Sequence, residues 1–153
     1  MTFVPALRSI SSQEFEGWPA SMQVIAHDHA RRFGALALPD DQQSVALSWR
    51  SDSIEPVIVV RDASEMWLAV DQRLACVAPN GRILVSLGLA SFVLQLRCFA
   101  VGTVVLCEAE SIVFNRDFTV RSIRALSDLP CDVSERAGQL FVSLDDGAEV
   151  NIG

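Results

Sequence analysis

Two histidines, a scatter of carboxylates and one cysteine in a polar turn are the residues with which this chain could do chemistry. His27 and His29 stand in a His-Asp-His run. On a strand, two residues apart, their rings would share a face and could share a metal ion. On a helix they diverge by about 200°, and a helix is what the surrounding residues predict. His29 then faces the apolar side and His27 faces solvent. No further histidine completes a three-ligand zinc site, and Cys76, Cys98, Cys107 and Cys131 lack paired CxxC spacing. No metal and no cofactor is expected.

The carboxylates are more suggestive. Trp67-Leu-Ala-Val-Asp71 resembles Val104-Val-Leu-Cys-Glu108, 37 positions later. Asp71 and Glu108 therefore occupy matching positions and are expected at one rim of a sheet. Glu110 and the pair Asp145-Asp146 can join them. Such a cluster could hold a hard cation or act as an acid/base pair. Acidic turn residues also solvate sheet ends, and an acidic rim attracts a basic partner. Trp18, at a helix break, is a candidate anchor for a partner. Trp49 and Trp67 read as packing residues. Cys131, in Leu129-Pro-Cys-Asp132, is the cysteine expected to be exposed. Only Arg136 lies near enough in sequence to lower its pKa.

Several chemistries are excluded outright. All 12 basic residues are arginines, and there is no tyrosine. Without lysine there is no Schiff base and no P-loop lysine. There is no Gly-x-Ser-x-Gly elbow and no glycine-rich strand-to-helix loop. The net charge of −7 opposes nucleic-acid binding. The longest uncharged run, Ile83 to Leu96, is too short for a membrane span. Met1 to Pro5 lacks a secretory pattern. Free thiols and a reducing cytoplasm are expected, and the arginine-only usage suggests a bacterial, GC-rich coding sequence.

The elements that must position these residues fall into two parts. Ser11 and Glu14 form a capping-box pattern, with Ile10 and Phe15 as a hydrophobic staple. Gly17 and Pro19 end that short helix. A second helix is predicted from about Pro19 to Phe33, with Met22, Ile25, Ala26, His29 and Phe33 on one face. Asp28 and Arg32 would pair along it, and Gly34 would follow its last turn. Pro39-Asp40-Asp41 reads as a connector. From Ser44 the pattern becomes strands and tight turns. Asn80-Gly81, Asn115-Arg116-Asp117 and Asp145-Asp146-Gly147 each separate two strand-like runs, the hairpin signature. The strand spacing repeats with a period in the high thirties, as in β-propeller blades and related arrays. About two and a half units fit.

The expected fold is mainly β: an antiparallel meander of repeated hairpins, as a barrel, a sandwich or a partial propeller, behind a short N-terminal helical segment. Residues 1–153 are expected as one domain, with 1–43 packing on a 44–153 β domain. The leading functional expectation is a non-enzymatic protein that binds a partner, as an inhibitor, immunity-type protein or adaptor, through an acidic rim. The alternative is a small-molecule binder or small hydrolase with a pocket lined by Asp71, Glu108 and Glu110. Self-assembly of two copies is a third option.

Overall fold

The computed structural model describes residues 5–39 and 43–153. Met1–Val4 and Asp40–Gln42, which include two residues of the expected connector, lie outside the described residues. The chain divides into two compact units, Met1–Leu89 and Ala90–Gly153.

The fold is mainly β, with a short N-terminal helix. In the first unit, β1 (Leu7–Ser9) leads into α1 (Ser12–Glu16), and a single 3-10 turn at Ala20–Met22 leads into β2 (Gln23–Ile25). β3 (Arg32–Ala37) and β4 (Ser44–Trp49) complete a first sheet in the order β1-β3-β4-β2. All its pairs are antiparallel except β2 with β4. β5 (Val57–Arg61), β6 (Glu65–Val70), β7 (Arg73–Val77) and β8 (Ile83–Gly88) form a second sheet, a plain antiparallel meander. The second unit repeats the meander. β9 (Val93–Phe99), β10 (Gly102–Cys107), β11 (Glu110–Asn115) and β12 (Val120–Ala125) make the third sheet. β13 (Pro130–Arg136), β14 (Gln139–Leu144) and β15 (Glu149–Asn151) make the fourth, which has three strands.

The repeat is regular where the sequence suggested it. The second strands of the three meanders begin at Glu65, Gly102 and Gln139, 37 residues apart each time. The hairpins at Asn80-Gly81, Asn115–Asp117 and Asp145–Gly147 are all present. Gly81 and Gly147 sit at φ 87° and 88°, where a side chain is strained.

Each unit has its own core. In the first, Met66, Leu68 and Val70 of β6 pack against Leu36, Val45, Leu47 and Trp49 of the first sheet. In the second, Val104, Leu106 and Val113 pack against Val133, Leu140, Val142 and Ile152. β6 and β10 are buried at every residue, which is why they read as unbroken apolar runs rather than alternating ones.

The predicted second helix is not formed. Residues 19–33 instead hold the 3-10 turn, β2, a bend and the start of β3. Val24 and Ile25 are buried beside β4, so strand pairing overrides the helical spacing. His29 stands at φ 55°, a conformation that ends any regular element. Gly34 does not follow a helix. It lies within β3, where an added Cβ would come 2.8 Å from Leu7 Cδ1. Arg32 does not pair with Asp28. Its Nη2 is 2.5 Å from Glu55, and its guanidinium lies 4.9 Å from the Trp49 ring. The first helix does form. Ser11 Oγ accepts the Glu14 N–H at 3.0 Å, while the Glu14 carboxylate turns to Arg8 instead of back to Ser11.

Candidate functional site

The turns that follow β10 and β14 are built alike. The Glu108 N–H donates to Phe92 O at 3.0 Å, and the Asp145 N–H donates to Leu129 O at 2.9 Å. Both donors and both acceptors are one 37-residue repeat apart. Each turn is thus tied to the segment that enters its own sheet. β9 and β13 lie alongside one another, because Gln95 Nε2 donates to Cys131 O at 3.0 Å and Arg97 pairs with Asp132 at 2.7 Å. The two turns therefore emerge at one end of the second unit.

That end is acidic. It carries Glu108, Glu110, Asp145 and Asp146, all expected from the sequence, and also Asp128 and Asp132, which the sequence reasoning missed. The missed pair flank Cys131, and the run Asp128-Leu-Pro-Cys-Asp132 was the available signal. Glu108, Asp145 and Asp146 are exposed. Glu110 Oε1 accepts the Ala90 N–H at 3.3 Å, and Asp146 Oδ1 accepts the Ala148 N–H at 2.9 Å. Among the described residues, Arg97 pairs with Asp132.

Two thiols register this negative potential. Burial pushes the Cys107 thiol up to about 12, and the charges of Glu110 and Glu108 add to the rise. Cys131 is exposed, yet its thiol is also raised. Its Sγ–H donates to Asp145 Oδ1 at 2.8 Å, and the charges of Asp145, Asp128 and Asp132 oppose a thiolate. A nucleophilic thiol needs the opposite environment.

Asp71 holds the matching position in the first unit but is used differently. It follows β6 directly and is only 4% exposed, at φ 53°. Its Oδ2 accepts the N–H groups of Arg50 and Ser51 at 2.8 and 3.3 Å. Burial raises its pKa. The Ser51 hydroxyl, the Arg50 and Ser51 N–H groups and the charge of His27 outweigh that and hold the carboxyl below its ordinary value. Trp18, also in the first unit, is half-buried, with its carbonyl accepting Gln23 Nε2 at 3.0 Å.

The histidines exchange their expected roles. His27 is half-buried, with Nδ1 2.6 Å from Ser48 O, so the proton sits on Nδ1. His29 is exposed in the bend. Among the described residues, no three His, Cys, Asp or Glu side chains converge as a metal site. A cavity of about 180 Å³ in the first unit is lined by Leu7, Arg32, Trp49 and Glu55. Another of about 180 Å³ lies between Gln23–Ala26 and Arg73, Leu74 and Ser86. Neither wall contains Asp71.

No protein-family model and no curated protein matches the chain. Among solved structures, it is similar to BBS1N, crystallised in complex with ARL6DN, at 18% identity and a TM-score of 0.53 over 79% of this chain. It is also similar to the Pan2 WD40 domain of Neurospora crassa, at 10% identity and a TM-score of 0.45 over 78% of this chain. The chain spans 42% and 41% of the length of those two. The likeness to BBS1N is one of fold, and the repeated four-stranded meander is the blade form of β-propellers. No helix among the described residues is long and apolar enough to cross a membrane.

Proposed function

We propose that the chain is a non-enzymatic protein-binding scaffold that receives a basic partner at the acidic end of its second unit. The observation that carries this reading is the repeated turn. Glu108 and Asp145 are brought to one end by the same backbone hydrogen bond in two successive sheets, with Asp146 exposed beside Asp145. Carboxylates left in solvent around a rigid frame steer an oppositely charged surface and fix its register. The fold relative BBS1N is itself seen with a protein bound, which accords with a scaffold role. The raised thiols at this end favour binding over nucleophilic chemistry.

The test is affinity capture from a native lysate with wild type and with a Glu108→Gln/Glu110→Gln/Asp145→Asn/Asp146→Asn variant. Each exposed ion contact is worth roughly 0.2–1 kcal/mol, so four lost contacts lower affinity by about fourfold at the low end and roughly a thousandfold at the high end. The expected partner is held at low salt and released near 1 M salt, where the screening length falls to about 3 Å. A partner set identical for the two proteins, or insensitive to salt, refutes the acidic end as the contact.

A further inference from the structure

The second unit also has an edge of opposite character. β12 is the outermost strand of the third sheet and, among the described residues, pairs only with β11. It carries Arg121 and Arg124, both exposed, and neither makes an ion pair among the described residues. Val120 and Ile123 are 48% and 60% exposed, large values for apolar side chains in a sheet. In a chain of net charge −7, this edge is locally basic and apolar together.

The pairing register sorts these side chains. Ile123 stands opposite Ile112, and Val120 opposite Phe114, on one face. Arg124 stands opposite Ser111, and Ser122 opposite Val113, on the other. The register passes from Phe114↔Val120 to Val113↔Ser122, which leaves Arg121 as the extra residue of a bulge. The Leu126 N–H donates inward to Ala109 O at 2.9 Å. Backbone direction alternates along an antiparallel strand, so Ile123 and Ala125 turn their N–H and C=O away from β11. These are free ladder positions.

We propose that the β12 edge is a docking strand for an extended protein segment in which acidic and apolar residues alternate. Backbone hydrogen bonds to Ile123 and Ala125 supply the pairing. Side chains on one face of the added strand meet Val120 and Ile123, and those on the other meet Arg124, with Arg121 close by at the bulge. Opposite charges across a strand pair are favourable, and like charges are not. The same rule argues against a second copy of this chain. Antiparallel self-pairing through the free positions matches Ile123 with Ala125 of the second copy and sets Arg124 against Arg124 of that copy. The arginines thus bar the self-association to which a free edge is prone while leaving it open to an acidic strand.

The test uses the full chain and two fluorescein-labelled seven-residue peptides, one alternating glutamate with valine and one alternating lysine with valine, read by fluorescence anisotropy at low salt. The glutamate–valine peptide is expected to bind wild type and the lysine–valine peptide to bind at least tenfold more weakly. Ala125→Pro removes an outward N–H and no bond to β11, so it is expected to weaken the glutamate–valine peptide at least tenfold. Arg121→Glu/Arg124→Glu is expected to invert the preference between the two peptides, a result that keeps the proposal testable if the proline variant misfolds by circular dichroism. Equal binding of the two peptides, no inversion, or no binding of the glutamate–valine peptide by wild type at about 1 mM overturns the proposal. So does a wild-type dimer in sedimentation that Ala125→Pro dissociates, since the edge would then serve a second copy.

Discussion

Replacing Asp71 separates two effects that the structure superimposes at one residue. Its backbone is left-handed, at φ 53°, and its carboxylate holds two backbone N–H groups of the chain between β4 and β5. Asp71→Asn keeps an acceptor oxygen and a side chain that tolerates this conformation, so it should cost about 1 kcal/mol, the difference between a charged and a neutral acceptor. Asp71→Gly relieves the backbone but orphans both donors. At about 1 kcal/mol for each partly buried bond, the loss is about 2 kcal/mol. Asp71→Ala orphans the donors and adds the left-handed penalty of roughly 1 kcal/mol, about 3 kcal/mol in all. Urea unfolding followed by tryptophan fluorescence is the assay, because Trp18, Trp49 and Trp67 all lie in the first unit with Asp71. An alanine variant no less stable than glycine, or an asparagine variant as damaged as alanine, refutes the reasoning.

The same variants carry a pH signature. The folded pKa of Asp71 is depressed, so its charge contributes stability that is complete above the unfolded value of about 3.9. That contribution is lost as pH falls through the lower folded value. The stability gap between wild type and Asp71→Asn should therefore shrink below about pH 4. A gap that widens on acidification contradicts the assignment.

Three further outcomes follow from packing and charge. Arg61 Nε and Glu65 Oε1 form a pair at 3.2 Å, 6% and 7% exposed, and Glu65 Oε2 also accepts Trp67 Nε1 at 3.1 Å. Glu65→Ala should cost about 3–5 kcal/mol in the same unfolding assay, and Arg61→Met/Glu65→Met should recover much of it. An added Cβ on Gly102 would lie 2.0 Å from Phe114 O, a backbone atom that cannot yield cheaply. Gly102→Ala should destabilise the second unit by about 3 kcal/mol, read by circular dichroism. In native-state thiol labelling at pH 8, Cys131 should react first and Cys107 last, and Asp145→Asn should accelerate Cys131 by removing its hydrogen bond and one opposing charge.

What the sequence made legible was local. Asn80-Gly81 and Asp146-Gly147 announce hairpins because only such residues take positive φ at little cost. The meander period is visible because the second strands are buried throughout and leave unbroken apolar runs. The first sheet was not legible, because its strands are made by distant partners. β2 pairs with β4 in parallel, Gln23 beside Ala46, and β1 pairs with β3, Leu7 beside Leu36. Nothing local in Met22 to Phe33 outweighs a helical spacing until those partners are in place. The repeat matched Asp71 with Glu108, whereas Asp128 and Asp132 were missed. The β12 edge was not legible, since Val120 to Ala125 become an outermost strand only once the strand order is set.

The contrast between Asp71 and its two counterparts shows what the repeat constrains. In each meander the turn after the second strand is fastened to the segment that precedes the first strand. In the third and fourth sheets the fastening is a backbone bond, from Glu108 N–H to Phe92 O and from Asp145 N–H to Leu129 O. In the second sheet a side chain takes part, with the Asp71 carboxylate gripping the N–H groups of Arg50 and Ser51. Once the backbone makes the fastening, the acid side chain at that position is not needed for it and remains exposed, even where it also accepts a hydrogen bond, as Asp145 does from Cys131. Where the carboxylate makes it, the acid is consumed by the fold. An acidic residue at this repeat position therefore stays exposed only where the preceding segment presents a carbonyl to the turn, as Phe92 and Leu129 do, and that places the exposed charge of this position in the second unit rather than evenly along the repeat.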